Sequence, residues 1–272
     1  MKIQMFIAAG GKGKRLKISG PKSLISIEGK SLIAHIIDTA LGANIDEIVV
    51  GIDEGKEELI ASLPDYVNVQ FGCKEPLTQA FFESARTKKP DIILGVNGDT
   101  LYHSVSIRRV LDLLEKYPEA TGALLLTDVV KPLITSTWIY WRHRLESHAL
   151  VEMEEVGGHE IKTELVLTAF RTKALRELTR DFTESFMDWK SMPFRCYSLG
   201  WDYLLRIILW QNREIVGAVS HDTCLNINIP EDLEGGRLFF KEPELFCRWR
   251  RQTSRAAENG KLGVNPRKIS SY

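Results

Sequence analysis

A chain of 272 residues, 44% hydrophobic and 26% charged, has enough apolar material for a substantial core and lacks the composition of a disordered segment or a disulfide scaffold. Its 36 basic and 36 acidic residues cancel, and no apolar run approaches the roughly 20 residues that cross a bilayer, so neither a nucleic-acid nor a membrane partner is expected. Cys73, Cys196, Cys224 and Cys247 form no CxxC pair and no regular spacing, which argues against a zinc site or disulfide framework and fits a reducing cytoplasm.

The first half alternates strand-like and helix-like patterns. IQMFIAA reads as a buried strand. In SLIAHIIDTAL (31–41), Leu32, Ile33, Ile36, Ile37 and Ala40 fall on one helical face behind a Ser31 N-cap. DEIVVGID (46–53) is a strand, 55–63 a helix, 67–71 a strand, 77–88 a helix and 91–96 a strand. This βαβαβαβ order predicts a parallel sheet with helices on both faces and a ligand site beyond the C-terminal ends of the strands. A helix over about 105–116 and the strand ATGALLLT follow, and then the alternation breaks in the tryptophan-rich ITSTWIYWRHRLESH. ALVEME and ELVLTAF read as an antiparallel addition. Helices near 172–180 and 199–210, the strand EIVGAV and the segment CLNINIPEDLE with a last helix complete one domain, expected to span 1–246. Residues 247–272 are then a loose basic tail, in which seven Lys/Arg after Cys247 face the single acid Glu258.

The first strand runs into AAGGKGKRLKISGPKSL. A P-loop needs GxxxxGK followed by Ser or Thr, and the spacing here is wrong and lacks the hydroxyl. A dinucleotide fingerprint needs GxGxxG, and the third glycine is absent, although Asp53 could imitate the acid at the end of the second strand. What remains is a loop whose backbone N–H groups and cations, Lys12, Lys14, Arg15 and Lys22, suit a polyphosphate, with a soluble surface turn as the plainer alternative.

AGGKGKRL followed by PKSL resembles the signature of the nucleotidyltransferases that make activated sugars and alcohols, including the molybdopterin nucleotidyltransferases. GVNGDTL (95–101) is similar to the family's Gly-Asp at the end of a central strand, and NINIPEDL (226–233) to its late metal-ligand strand. The resemblance spans roughly residues 1 to 240. It implies a Rossmann-like three-layer α/β/α fold with a mainly parallel sheet, Mg2+ as cofactor, and two substrates, a nucleoside triphosphate and a small phosphorylated acceptor.

The resemblance also implies roles. Arg15 would neutralise the leaving pyrophosphate, Lys22 would orient the acceptor phosphate, and Asp99 would hold the metal with Asn226 or Asn228. Ala9, Gly10, Gly11, Lys12, Gly13, Lys14 and Gly98 would contact the nucleotide, and Thr78 and Gln79 would contact its base. Asp202, Glu154 and Lys162 are the candidates for the acceptor side. Read without the resemblance, Asp99 could cap a turn, the asparagines could satisfy strand-end backbone groups, and Asp202 could simply favour a helix N-terminus. The Asn-Thr-Gly that many hexose-phosphate enzymes carry is missing from EMEEVGGHEIKTELVLTAF, which leaves the acceptor open. His35 reads as a core or rim histidine, and His103 follows Asp99 closely enough to touch the site. Trp138, Trp141, Trp189 and Trp201 read as core, with an acceptor pocket or a contact in a homo-oligomer as alternatives. A non-catalytic nucleotide or nucleotide-sugar regulator of the same fold is the rival function, and the joint presence of Arg15, Lys22 and Asp99 speaks against it.

Overall fold

The chain begins with Ile3–Ala8 (β1), whose Met5 and Ile7 face one core while Phe6 faces another, the period-two alternation of a strand covered on both sides. The computed structural model describes residues 1–10, 16, 20–53, 55–71, 77–128, 139–157, 163–182, 201–221, 224–228, 230, 232–241, 244–246 and 249. A short turn of helix, Lys22–Leu24, leads to the small strands Ser26–Ile27 (β2) and Lys30–Ser31 (β3). Leu32–Gly42 (α1) follows, with all five expected residues buried and Ser31 Oγ accepting the Ala34 N–H. Then come Glu47–Ile52 (β4), Glu57–Ala61 (α2), Asn68–Phe71 (β5), Leu77–Lys88 (α3), Ile92–Asn97 (β6), Thr100–Leu101 (β7) and Ser104–Lys116 (α4). The second half comprises Gly122–Thr127 (β8), Ile139–Glu146 (β9), Ala149–Gly157 (β10), Glu164–Arg171 (β11), Thr172–Phe182 (α5), Trp201–Trp210 (α6), Ile215–Ser220 (β12), Leu225–Asn226 (β13) and Asp232–Lys241 (α7).

Nine strands form one sheet in the order β5-β4-β1-β6-β11-β8-β12-β10-β9. The β5-β4-β1-β6 half is parallel throughout, as the βαβ alternation predicts. Side chains of α1, α2, α4 and α7 share one core with the sheet, and those of α3, α5 and α6 share the other, giving three layers.

The antiparallel addition is arranged differently from the expectation. ELVLTAF does not lie beside ALVEME. It enters the middle of the sheet as β11, antiparallel to both β6 and β8. Val166 through Phe170 are all buried, which a central strand covered on both faces requires. ALVEME lies at the far edge as β10, paired with β12 and with β9, a strand absent from the sequence reading. On the exposed face of that pair Arg144 opposes Glu152 and Arg142 opposes Glu154, both as ion pairs. Such charges protect an edge from unwanted pairing and also mask its strand character in the sequence.

Phe246 is buried in the core, and Trp249 stacks on it with ring centroids 5.7 Å apart, so packing continues just past the expected boundary at 246. Among the described residues no helix is long and apolar enough to cross a membrane.

Candidate functional site

The parallel strands end together, and their C-terminal ends set the site. Ala9 N–H donates to Gly51 O and Gly98 N–H to Ala8 O, both at 2.8 Å, which fastens the start of the glycine loop between β4 and the turn after β6. A side chain at Gly98 would put its Cβ 2.8 Å from Ala8 O, so this close approach requires glycine. The Asp53 carboxylate, 8% exposed, packs against Gly10 at the end of β4.

Asp99 follows directly. Its carbonyl accepts the Ile227 N–H at 2.8 Å, and Asn226 pairs with Thr100 where β13 meets β7. The late strand is thereby laid along the Gly-Asp turn, 127 residues earlier in the chain for Asp99 relative to Asn226 (226 less 99). Thr100 Oγ1 donates to Asp99 Oδ1. Asn228 is held by its backbone N–H, which donates at 2.7 Å to Asp232 Oδ2 at the start of α7, a side chain only 1% exposed.

Lys22 closes the cluster. Pro21, in extended conformation, starts the helical turn that buries Lys22 and Ser23. Lys22 Nζ donates to Asp99 Oδ2 at 2.6 Å and to Asn228 Oδ1 at 2.8 Å. Three expected site residues, far apart in sequence, therefore share one hydrogen-bonded group.

Beyond Asn226 opens a cavity of about 290 Å3, lined in part by Asn97, Thr100, Thr168, Trp201, Asp202 and Asn226. Trp201 Nε1 donates to Asn97 Oδ1 at 3.0 Å, and the Trp201 ring packs edge-on to Phe6 and Phe81. The Asn97 N–H donates to the Tyr102 hydroxyl. Burial pushes the Tyr102 phenol far above its ordinary value, so it remains a neutral hydroxyl. Asp202, in the first turn of α6, accepts from His143 Nε2 at 3.0 Å.

Ala9, Gly10, Lys22, Gly98, Asp99, Asn226 and Asn228 thus gather at one end of the sheet, with Asp202 across the adjoining cavity. Glu154 pairs with Arg142 on the exposed β9–β10 face and is not among the residues lining this cavity. Gly11, Lys12, Gly13, Lys14, Arg15 and Lys162 lie outside the described residues, as do Trp138 and Trp189. Thr78 and Gln79 lie in the first turn of α3, where the backbone alone is described. His35 donates to Ile27 O and stacks on Phe240, a structural role as expected. His103 stacks on Phe239, with centroids 4.1 Å apart. The sequence reading missed His143, Asn97, Thr168 and Asp232. Asp232 lay within PEDL and Asn97 within GVNGDTL, whereas His143 and Thr168 carried no signal.

Comparison with known proteins fits this geometry. Residues 5–123 match the MobA-like NTP transferase domain. The bifunctional protein GlmU of Legionella pneumophila (strain Corby) is 40% identical over 65 residues, 24% of this chain and 14% of that protein. GlmU of Sorangium cellulosum (strain So ce56) is 28% identical over 138 residues, 46% of this chain and 29% of that protein. The matched segment thus spans well under half the length of these curated relatives. Among solved structures, a putative glucose-1-phosphate thymidylyltransferase from Bacillus anthracis superposes with a TM-score of 0.66 at 14% identity, covering 88% of this chain and 96% of its own. The CMP:2-keto-3-deoxy-manno-octonic acid synthetase complexed with CTP gives 0.65 at 16% identity, covering 89% and 100%. At these identities the two structures speak for the fold.

Proposed function

We propose that this chain, whose residues 5–123 match the MobA-like NTP transferase domain, is a nucleotidyltransferase that moves a nucleoside monophosphate from a nucleoside triphosphate to the phosphate of a small sugar, polyol or alcohol phosphate. An oxygen of the acceptor phosphate bonds to the α-phosphorus, the bond from that phosphorus to the bridging oxygen breaks, and pyrophosphate leaves. The observation that carries this reading is the Lys22–Asp99–Asn228 group seated beside Ala9, Gly10 and Gly98.

The obstacle in such a reaction is charge, because an anion attacks an anion and another anion departs. Catalysis is then mainly positioning and electrostatic compensation. A hard cation at such a site takes few protein ligands and many substrate and water oxygens. The donor set fits Mg2+: one carboxylate, Asp99, and the amide oxygens of Asn226 and Asn228. The Lys22 ammonium bridging Asp99 and Asn228 supports this, since it marks a position where positive charge is favoured. Mg2+ held by these residues would offset the charge of the phosphates.

Lys22 orients the acceptor phosphate and compensates the charge building at the attacked phosphorus. Arg15 neutralises the departing pyrophosphate. Lys12, Lys14 and the backbone N–H groups of Gly10, Gly11 and Gly13 hold the triphosphate. Thr78 and Gln79 are the candidates for contact with the base, and Asp202 meets the acceptor, with Glu154 and Lys162 as further candidates. No general base is required, because the attacking phosphate is already an anion.

The test is a panel of the four nucleoside triphosphates with Mg2+ and assorted sugar, polyol and alcohol phosphates, read by pyrophosphate release. Release with one pair is expected. Tight nucleotide binding with no turnover across the panel would favour the regulatory alternative.

A further inference from the structure

We infer that His143 is the positioning residue for Asp202, and that the acceptor presents a hydrogen-bond donor, a hydroxyl of a sugar or polyol, to the Asp202 carboxylate. This deepens the nucleotidyltransferase reading and rests on it.

His143 lies on β9, and its side chain is 2% exposed. Its Nε2 is 3.0 Å from Asp202 Oδ1, and because an ionised carboxylate can only accept, Nε2 carries the hydrogen. The other ring nitrogen, Nδ1, is buried with no hydrogen-bond partner among the described residues. Burying an unsatisfied ring nitrogen costs stability. A side chain serving packing alone would be apolar here or satisfied at both nitrogens. The polar interaction made by the ring is directed instead at a carboxylate on the wall of a cavity.

Asp202 remains partly open, with its side chain 31% exposed. Donation from His143 to Oδ1 restrains the carboxylate and leaves Oδ2 to accept from further donors. Among the described residues that line the cavity there is no lysine or arginine, and the Asp202 carboxylate is suited to accept from a hydroxyl. Across the cavity, Asn226 borders the cluster of Lys22 and Asp99 that is proposed to receive the acceptor phosphate. An acceptor with phosphate at one end and hydroxyls at the other spans that separation in one orientation. Thr168 and Asn97, also on the wall, add neutral polar groups suited to the same hydroxyls.

The experiment uses the full chain with the best nucleotide and acceptor pair. His143→Leu removes the donor, His143→Gln restores an N–H at the position of Nε2, and Asp202→Asn removes the accepting charge. His143→Leu is expected to raise the acceptor KM about tenfold while the nucleotide KM and kcat stay within about threefold. His143→Gln is expected to return the acceptor KM to within about threefold of the parent. Asp202→Asn combined with His143→Leu is expected to be no worse than Asp202→Asn alone, because the two side chains act as one unit. Removing the hydroxyl-bearing end of the acceptor should erase the difference between parent and His143→Leu. An unchanged acceptor KM in His143→Leu, or equal losses in His143→Leu and His143→Gln, would overturn the inference while leaving the parent reading intact. Absence of pyrophosphate release by the unaltered protein with every pair would overturn the parent reading and this one with it.

Discussion

The Lys22 ammonium sits 2.6 Å from the Asp99 carboxylate, one from the turn after the glycine loop and the other from the end of β6, 77 positions later in the chain. The same ammonium reaches Asn228 at 2.8 Å, so a single cation ties together the three chain segments that form the site. The Lys22 side chain is 7% exposed and that of Asp99 is 29% exposed, so the carboxylate keeps one side toward solvent and incoming ligands. Replacing Asp99 by Asn preserves shape and removes the charge. Pyrophosphate release is expected to fall at least about a hundredfold, by analogy with the loss of other charge-stabilising groups, with the circular dichroism spectrum unchanged. Lys22→Ala is expected to do the same. Full activity in Asp99→Asn would remove this residue from the mechanism.

Chelation supplies a separate check on the oxygen donor set. Activity in the best pair is expected to vanish with excess EDTA and to return with added Mg2+. Asp99→Asn should raise the Mg2+ concentration needed for half-maximal rate in whatever activity remains. An EDTA-insensitive rate would contradict the assignment of Asp99, Asn226 and Asn228 as metal ligands.

Asp232 supports the late strand from below. Its carboxylate accepts the Asn228 N–H at 2.7 Å while almost wholly buried. Asp232→Ala leaves that N–H without its carboxylate, at a cost of about 1–3 kcal/mol, and lets Asn228 drift from Lys22. Denaturant unfolding should show the loss, and Asp232→Asn, which retains an accepting oxygen, should recover most of it. If Asp232→Ala unfolds at the parent midpoint, the late strand is held by other contacts.

Gly98 tests the close approach of the loop to the turn. A methyl group there would meet Ala8 O at 2.8 Å and Ala9 Cα at 3.0 Å, backbone atoms that cannot rotate away. Gly98→Ala is expected to destabilise the fold by about 1–3 kcal/mol and to raise the nucleotide KM more than the acceptor KM, because the shift falls on the start of the glycine loop. A variant with parent thermal midpoint and parent nucleotide KM would show that the loop tolerates displacement.

Tyr102 gives the fold an alkaline sensitivity. Burial raises its phenol in the folded state far above the ordinary value of 10.0, whereas the unfolded chain ionises near that value. The unfolded state therefore releases a proton first as pH rises. Stability from this group is complete below pH about 10 and declines above it, with a slope approaching 1.4 kcal/mol per pH unit. Tyr102→Phe is expected to be less stable at neutral pH, where the Asn97 N–H loses its acceptor, yet to show a shallower decline between pH about 9 and 11. Parallel denaturant curves for the two proteins across that range would contradict the linkage.

Much of the first half was legible because its information is local. The apolar positions of α1 recur with helical period and a serine stands at its cap, so Leu32, Ile33, Ile36, Ile37 and Ala40 were found without any partner in view. The alternation of short strands and helices fixed the parallel run through β5, β4, β1 and β6 for the same reason. Lys22 and Asp99 were named from short motifs that resemble those of a known family, and Asp99 also stood at a strand end, where a parallel sheet puts its ligand.

The second half depends on which strands meet, and no local pattern records that. ELVLTAF read as a strand of an antiparallel addition, but its insertion between β6 and β8 follows from a crossover of the chain. β9 was hidden because its exposed face is an ion-paired ladder with β10 and reads as polar.

By itself the sequence determined the Pro-Lys-x-Leu turn, the Gly-Asp strand end and the helices whose faces repeat, since each is written in residues a few positions apart. Tertiary structure alone decided that Lys22 bridges Asp99 and Asn228 and that His143 meets Asp202, 59 positions away, at the wall of a cavity. Those contacts arise when separate strands and helices pack into one sheet and its flanking layers, and the free energy that fixes them comes from burial across the whole fold.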